Sequence, residues 1–198
     1  MKTIYFSLVA LFLASFTVTA QDFSYGVIGG VNFSKIDNFG SGEDGLFENA
    51  RLGFHIGAVA ELPFAEKWSY EASLLYSVEG EEFETSGVNS DVRLQYINVP
   101  FQFKYYAYKN LSIHFGPQIG FLLKGDVSID DADYEEIEDT VNTSFAGTFG
   151  LGYDLREYNL YLKGTLTYGF SDIIDNVTDG EDRSQLPGTV HLSVGYKF

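Results

Sequence analysis

Apolar and polar residues alternate with a period of two along most of the chain, and no segment repeats the three-to-four spacing of an amphipathic helix. Eight segments of about 10 to 14 residues show the alternation: 23–34, 51–62, 68–79, 91–106, 111–124, 143–154, 159–170 and 188–198. The connections alternate in length. Long ones cover 35–50, 80–90, 125–142 and 171–187. The short ones are "PFAEK" (63–67), "AYKN" (107–110) and "REY" (156–158). In an up-and-down arrangement every long connection emerges at one end and every short turn at the other, with both termini on the short-turn side. The pattern predicts an all-β fold, an eight-stranded antiparallel up-and-down transmembrane β-barrel.

The two faces of each segment differ in size as well as polarity. In "TVHLSVGYKF", Val190, Leu192, Val194, Tyr196 and Phe198 oppose Thr189, His191, Ser193, Gly195 and Lys197. In "NLYLKGTLTYGF", Leu160, Leu162, Leu166, Tyr168 and Phe170 oppose Tyr161, Lys163, Thr165 and Thr167. The polar face is rich in Gly and Ser, which suits the cramped bore of an eight-strand barrel. The bulky apolar face then points outward, into lipid. A secreted lipocalin-like binding barrel, apolar inside and charged outside, is the competing arrangement. Aromatics gather at segment ends: Phe23, Tyr25, Trp68, Tyr70, Tyr105, Tyr153, Tyr158, Tyr196 and Phe198 near the short turns, and Phe33, Phe121, Phe145 and Phe170 near the long connections. Two interfacial girdles are expected.

One segment changes phase. In "LQYINVPFQFKYY" (94–106), Leu94 and Tyr96 oppose Arg93 and Gln95, yet from Ile97 onward Ile97, Val99, Phe101, Phe103 and Tyr105 oppose Asn98, Gln102 and Lys104. One extra residue flips parity, so a β-bulge near Tyr96–Ile97 is predicted, with Pro100 tolerated beside it.

The ends of the chain and its charge narrow the class. Residues 1–20, "MKTIYFSLVALFLASFTVTA", have one early charge, a short apolar run and a small-residue exit, the layout of a secretory signal peptide. A single barrel domain is expected over 21–198. The 198 residues contain no Cys, which excludes a lipid-anchoring Cys, disulfides and thiolate metal sites. A net charge of −16 argues against nucleic acid as a partner. An aromatic content of 17% argues against the disorder that acidity often signals. Of the 28 acidic residues, 22 fall in the long connections or at their borders.

Three stretches together resemble the outer-membrane β-barrel domain family of Bacteroidetes, also labelled "porin family" or PorT-like: "YGVIGGVNFS" (25–34), the central "YINVPFQFK" (96–104) and "GPQIGFLLKG" (116–125). The resemblance implies an eight-stranded barrel in a Gram-negative outer membrane, among lipid and lipopolysaccharide. It implies no catalytic residue, cofactor or named ligand, and the porin label does not establish a channel. The last strand, with Val194, Tyr196 and terminal Phe198, looks like the β-signal read by the barrel-assembly machinery.

Candidate chemistry lies on the inward parity. Glu61, Glu71, Lys104, Asp154 and Lys163 all fall in the half nearer the short turns, predicting a structural ion-pair network that plugs the lumen; a proton or ion path, or a narrow small-solute channel, is the functional alternative. His55, His114 and His191 share inward parity, but strand direction places His114 at a different depth. Three unrelated imidazoles are therefore expected rather than a zinc site. His191-x-Ser193 has the spacing of a hydrolase couple without an evident acid to orient it, and no enzymatic activity is expected. The densest acidic run, "DVSIDDADYEEIED" (126–139), offers Asp126, Asp130, Asp131, Asp133, Glu135 and Glu136 as a weak cation-binding loop, but lacks the EF-hand glycine and spacing. A solvated external surface is the simpler expectation. The chain is expected to act as a monomer, in envelope structure or in binding a loop-bound protein partner.

Overall fold

The structure is a computed structural model that describes residues 23–35, 50–85, 88–129, 135–136, 143–170 and 188–198. The strands are β1 (Ser24–Lys35), β2 (Arg51–Ala65), β3 (Trp68–Thr85), β4 (Val88–Tyr108), β5 (Leu111–Ile129), the two-residue β6 (Glu135–Glu136), β7 (Thr143–Leu155), β8 (Leu160–Gly169) and β9 (Gly188–Lys197). Eight of them run antiparallel in chain order. β5 pairs with β7, β4 with β5, and β1 with β9, so the sheet closes, while β6 only extends the far end of β5. The fold is a closed eight-stranded antiparallel barrel. Closure pairs the backbone groups that an edge would leave bare. At the seam the Phe198 amide donates to the Tyr25 carbonyl at 2.8 Å, one step beyond the last ladder pair.

The short turns lie at the same end as the start of β1 and the end of β9. Lys109 (φ 46°) and Asn159 (φ 56°) take the left-handed conformation that lets the chain reverse there, and a one-turn 3₁₀ segment, Arg156–Tyr158, joins β7 to β8. Aromatic pairs line this turn end: Phe64–Tyr70 with ring centroids 4.2 Å apart, Trp68–Tyr105 at 4.7 Å and Tyr25–Phe198 at 5.5 Å.

The outer wall is apolar and the interior polar, the reverse of a water-soluble domain. Leu162 is 45% exposed while its neighbour Lys163 is 9% exposed, and the same contrast runs through Leu192 and Val194 against His191 and Ser193. Such an exterior is stable only against hydrocarbon. Leu166, in the middle of β8 opposite Phe149 and Val190, is therefore expected to reject charge. Leu166→Arg should cost about 2–4 kcal/mol, the usual range for a basic residue at mid-bilayer, read as a lowered unfolding midpoint in denaturant titrations of the vesicle-inserted protein.

Two expectations need correction. Residues 80–90 are not a long connection: β3 and β4 continue as one hairpin as far as the pair Thr85–Val88, and β5 likewise extends to Ile129. Acids assigned to connections, Glu81, Glu82, Glu84 and Asp126, therefore sit on strands. Nor does β4 bulge at Tyr96–Ile97. Its register against β3 is unshifted from Trp68–Tyr105 to Thr85–Val88, and Leu94, Tyr96, Asn98, Gln102 and Lys104 are all buried on the inner face. The hydrophobic phase changes because the filling of the barrel changes. Leu94 and Tyr96 form an apolar cluster inside the loop end, with Val92 and Leu122 against it. The irregularity belongs to the neighbouring strand: Gln95 faces Lys124 and Tyr96 faces Leu122, leaving Leu123 as the extra residue on β5.

Candidate functional site in the barrel lumen

The interior is stacked in three polar layers, beginning at the turn end. Glu71 on β3, 2% exposed, lies between two ammonium groups. It is bonded to Lys163, which reaches across from β8, and lies 3.5 Å from Lys104 of β4. Lys104 also pairs with Glu61 at 3.2 Å and Asp154 at 3.5 Å. Lys197, on the closing strand, binds the same two carboxylates at 2.7 and 3.3 Å. Three carboxylates thus face three ammonium groups, and the cluster is electrically balanced. Burial of each charge alone would cost several kcal/mol, which pairing and further hydrogen bonds offset. Those further bonds come from neutral side chains. Gln102 Oε1 accepts from Lys163 at 2.6 Å, and the Tyr106 hydroxyl lies 2.8 Å from Glu61 and 2.9 Å from Asp154. The Tyr161 ring, 1% exposed, lies 5.7 Å from Lys104 and 5.1 Å from Lys197, within cation–π reach. A side chain at Gly195 would overlap that ring, so the glycine makes the space that Tyr161 fills.

The five charged residues singled out from the sequence therefore meet in one cluster. Lys197, Gln102, Tyr106 and Tyr161 were not assigned to it. Parity placed Lys197 and Tyr161 on the inner face, but only the cross-barrel distances show what they touch. Beneath the cluster the turn end opens as a vestibule of ≈550 Å³, with Glu61, Tyr106, Asp154 and Lys197 among its walls and Lys67, Lys109 and Arg156 around it.

The second layer is organised by Asn32 of β1, fully buried. Its amide nitrogen donates to Ser77 Oγ at 2.9 Å and to the carbonyls of Phe54 and Val78 at 3.0 and 3.2 Å. Its Oδ1 must then be an acceptor, and it receives Nδ1–H of both His55 (2.5 Å) and His191 (2.9 Å). The expectation of three unrelated imidazoles is thus corrected: His55 and His191 share one acceptor and meet edge to face at 5.2 Å. His114 is apart, bonded to Thr165 Oγ1 at 3.0 Å. With Nδ1 protonated, His55 Nε2 accepts from Ser193 Oγ at 2.7 Å. Ser193 therefore partners His55 across the barrel rather than His191 along its own strand. The Ser–His–Asn order resembles a hydrolase relay, but all three residues are at least nine-tenths buried and the second imidazole shares the orienting oxygen. No group of three or more His, Cys, Asp or Glu suited to a metal ion occurs among the described residues.

The third layer, toward the loop end, contains Glu79. Its Oε1 accepts from Ser77 Oγ at 2.7 Å and Asn98 Nδ2 at 2.8 Å, and its Oε2 from Thr189 Oγ1 at 3.2 Å. A cavity of ≈40 Å³ lies against it, lined also by Leu94, Tyr96, Gln118, Phe145 and Thr167.

Beyond the lumen, Asp126 of the acidic run is already engaged, 2.8 Å from Lys124 Nζ and 3.1 Å from Arg93. Burial disfavours its anion, but the bonds from Lys124 and Arg93 prevail and hold its carboxyl below the ordinary value. Glu135 and Glu136 pair through their backbones with Val127 and Asp126. Asp130, Asp131 and Asp133 lie outside the described residues, as do the expected signal peptide at 1–20 and residues 36–49 and 171–187.

A closed barrel with an apolar girdle and a polar, ion-paired bore defines a membrane β-barrel of the kind that crosses the outer membrane. The chain belongs to the outer membrane protein beta-barrel domain family, whose model matches residues 19–175. Among curated protein sequences none matches it. Solved structures with the same fold include Ail of Yersinia pestis in complex with the heparin analogue sucrose octasulfate (TM-score 0.51, 18% identity, 90% of this chain and 100% of that one). Another is Neisserial surface protein A (TM-score 0.55, 13% identity, 89% and 97%). A third is a major outer membrane protein of Thermus thermophilus (TM-score 0.51, 13% identity, 90% and 100%). Outer-membrane membership sets aside the lipocalin-like arrangement.

Proposed function

We propose that this protein is a non-enzymatic, monomeric outer-membrane barrel whose lumen is plugged, and whose long acidic connections face the cell exterior and carry its interactions. The observation that supports the plug is the Lys163–Glu71 bond, which joins opposite walls of the bore inside a balanced cluster of six charges. An ion crossing this layer would have to break buried pairs, at a cost of several kcal/mol. Export relies on cleavage of residues 1–20, and insertion on recognition of the Phe198 strand end by the assembly machinery. The three motifs at 25–34, 96–104 and 116–125 support placement in the Bacteroidetes, PorT-like branch of the family.

The charge of the connections points to the class of partner. The heparin analogue bound to Ail is a polyanion, whereas the connections here are acidic and would repel one. A cationic or neutral protein surface, or lipopolysaccharide bridged by divalent ions, suits them better. Asp126, already neutralised by Lys124 and Arg93, contributes little to any calcium site in its loop. In planar bilayers, purified protein is expected to show no conductance step above leak. A reproducible unit conductance would replace the plug with the small-solute channel.

A further inference from the structure

Glu79 stands apart from the other lumenal acids. Glu61, Glu71 and Asp154 are all matched by Lys104, Lys163 and Lys197. No Lys, Arg or His nitrogen among the described residues lies within ion-pair distance of the Glu79 carboxylate. The direction of its hydrogen bonds shows which of its oxygens is already an acceptor. Ser77 Oγ receives a proton from the Asn32 amide and so turns its own hydroxyl proton to Glu79; the Asn98 amide nitrogen can only donate. Two donors thus converge on Oε1 and a third, the Thr189 hydroxyl, lies beside Oε2. Such a set can serve an anion, but a carboxyl buried without a cation is neutral at rest, with its Oε2 donating to Thr189 Oγ1. It ionises only beside a counter-charge.

The space for one adjoins it. The ≈40 Å³ cavity against Glu79 would hold about three waters, taking roughly 10–15 Å³ for each. A second buried oxygen lies on its wall: Thr167 is 6% exposed, lines the cavity, and its Oγ1 has no hydrogen-bond partner. The remaining wall is largely hydrocarbon and aromatic, from the buried Leu94, Tyr96 and Ala146. Lys35 also lines the cavity but makes no ion pair with Glu79.

We propose that this loop-end cavity is a binding site for a primary ammonium group on a short apolar stem, with Glu79 as the counter-anion and Thr167 Oγ1 as a further acceptor. The three protons of an ammonium suit a carboxylate and a hydroxyl acceptor together. The Tyr96 ring and the Leu94 side chain suit a cation with a hydrocarbon tail better than a strongly hydrated inorganic ion. The source of the amine is open to a free small molecule or to the lysine side chain of a partner, because both present the same chemistry.

The test uses the full mature chain in lipid nanodiscs, titrated with ethylammonium, with the methyl NMR signals of Leu94, Ala146 and Thr167 as reporters. Saturable shifts in these signals are expected. Glu79→Gln, checked for folding by its heat-modifiable gel mobility, should weaken binding at least ten-fold, and Thr167→Val about three-fold. N-acetyl-lysine methylamide, added in a parallel arm, should compete if the amine is supplied by a protein; failure to compete while ethylammonium binds would assign the site to free amines. The proposal is overturned if the wild type shows no saturable shift, if Glu79→Gln binds with unchanged affinity, or if potassium displaces ethylammonium at equal concentration. Conductance plays no part in this readout, so the ammonium site and the plug stand or fall separately.

Discussion

Glu71→Ala is expected to lower the stability of the inserted barrel by about 3–5 kcal/mol, the range found when one partner of a buried ion pair is removed. Glu71 has almost no contact with solvent and serves both Lys163 and Lys104. Without it three ammonium groups face two carboxylates, and Lys163 keeps only the Gln102 oxygen as a partner. Solvent relieves little of the excess charge, since Lys163 and Lys104 are themselves at least nine-tenths buried. The double variant Glu71→Leu, Lys163→Met removes both charges of the cross-bore bond and leaves Lys104 and Lys197 balanced by Glu61 and Asp154. It should recover more than half of the loss, because an apolar pair of similar volume often substitutes for a buried ion pair without penalty. Unfolding midpoints in lipid vesicles measure both. Equal midpoints for Glu71→Ala and wild type would mean that the charges are hydrated and the bore is open.

Gly30→Ala should be comparably damaging for a steric reason. Gly30 sits on β1 at the seam with β9, opposite Ser193. A Cβ there would lie 1.9 Å from the Leu192 carbonyl oxygen and 2.8 Å from the Ser193 Cα, both backbone atoms of the closing strand. No rotamer change relieves contact with backbone, so the seam itself would have to separate. Close approach of this kind is what a glycine within a strand commonly marks. A loss of about 3 kcal/mol is expected, at the upper end of overpacking costs, together with a lower yield of folded protein on refolding. Gly164→Ala is the control: its added carbon meets only Leu192 Cδ2, at 3.8 Å. That substitution should be neutral or stabilising by up to roughly 1 kcal/mol, through the reduced freedom of the unfolded chain.

The fold was legible because a barrel writes its two surfaces into alternate residues. Leu162 and Lys163, or Leu192 and His191, declare their sides by size and charge alone, and closure follows from eight such segments with alternating connection lengths. Charge also located the turn-end cluster in outline, since ionic residues of one parity inside a narrow bore have few partners to choose among. The parity rule failed where the lumen filling ceased to be polar. Leu94 and Tyr96 are apolar yet point inward, and a phase change in hydrophobicity was therefore mistaken for a phase change in backbone. The sharing of Asn32 by His55 and His191 was hidden for a different reason. These residues come from three strands and approach through a cross-barrel register that spacing along the chain does not encode. Glu79 ends the predicted segment 68–79, at the border of the acids Glu81, Glu82 and Glu84, and nothing in that spacing shows that the longer β3–β4 hairpin carries it among lumenal donors.

The central claim is that small and ionic side chains fill the bore while large apolar ones meet the acyl chains. The chain has no native cysteine, so single cysteines can be placed in turn along β8 from Leu160 to Gly169, spin-labelled, and examined by EPR in lipid vesicles. Collisions with oxygen, which concentrates in the bilayer, should peak at 160, 162, 164, 166 and 168 and fall at the alternate sites, with little collision at 163 or 165 with a water-soluble nickel chelate. A strand whose even-numbered sites respond to nickel and not to oxygen, or one with no alternation at all, would contradict it.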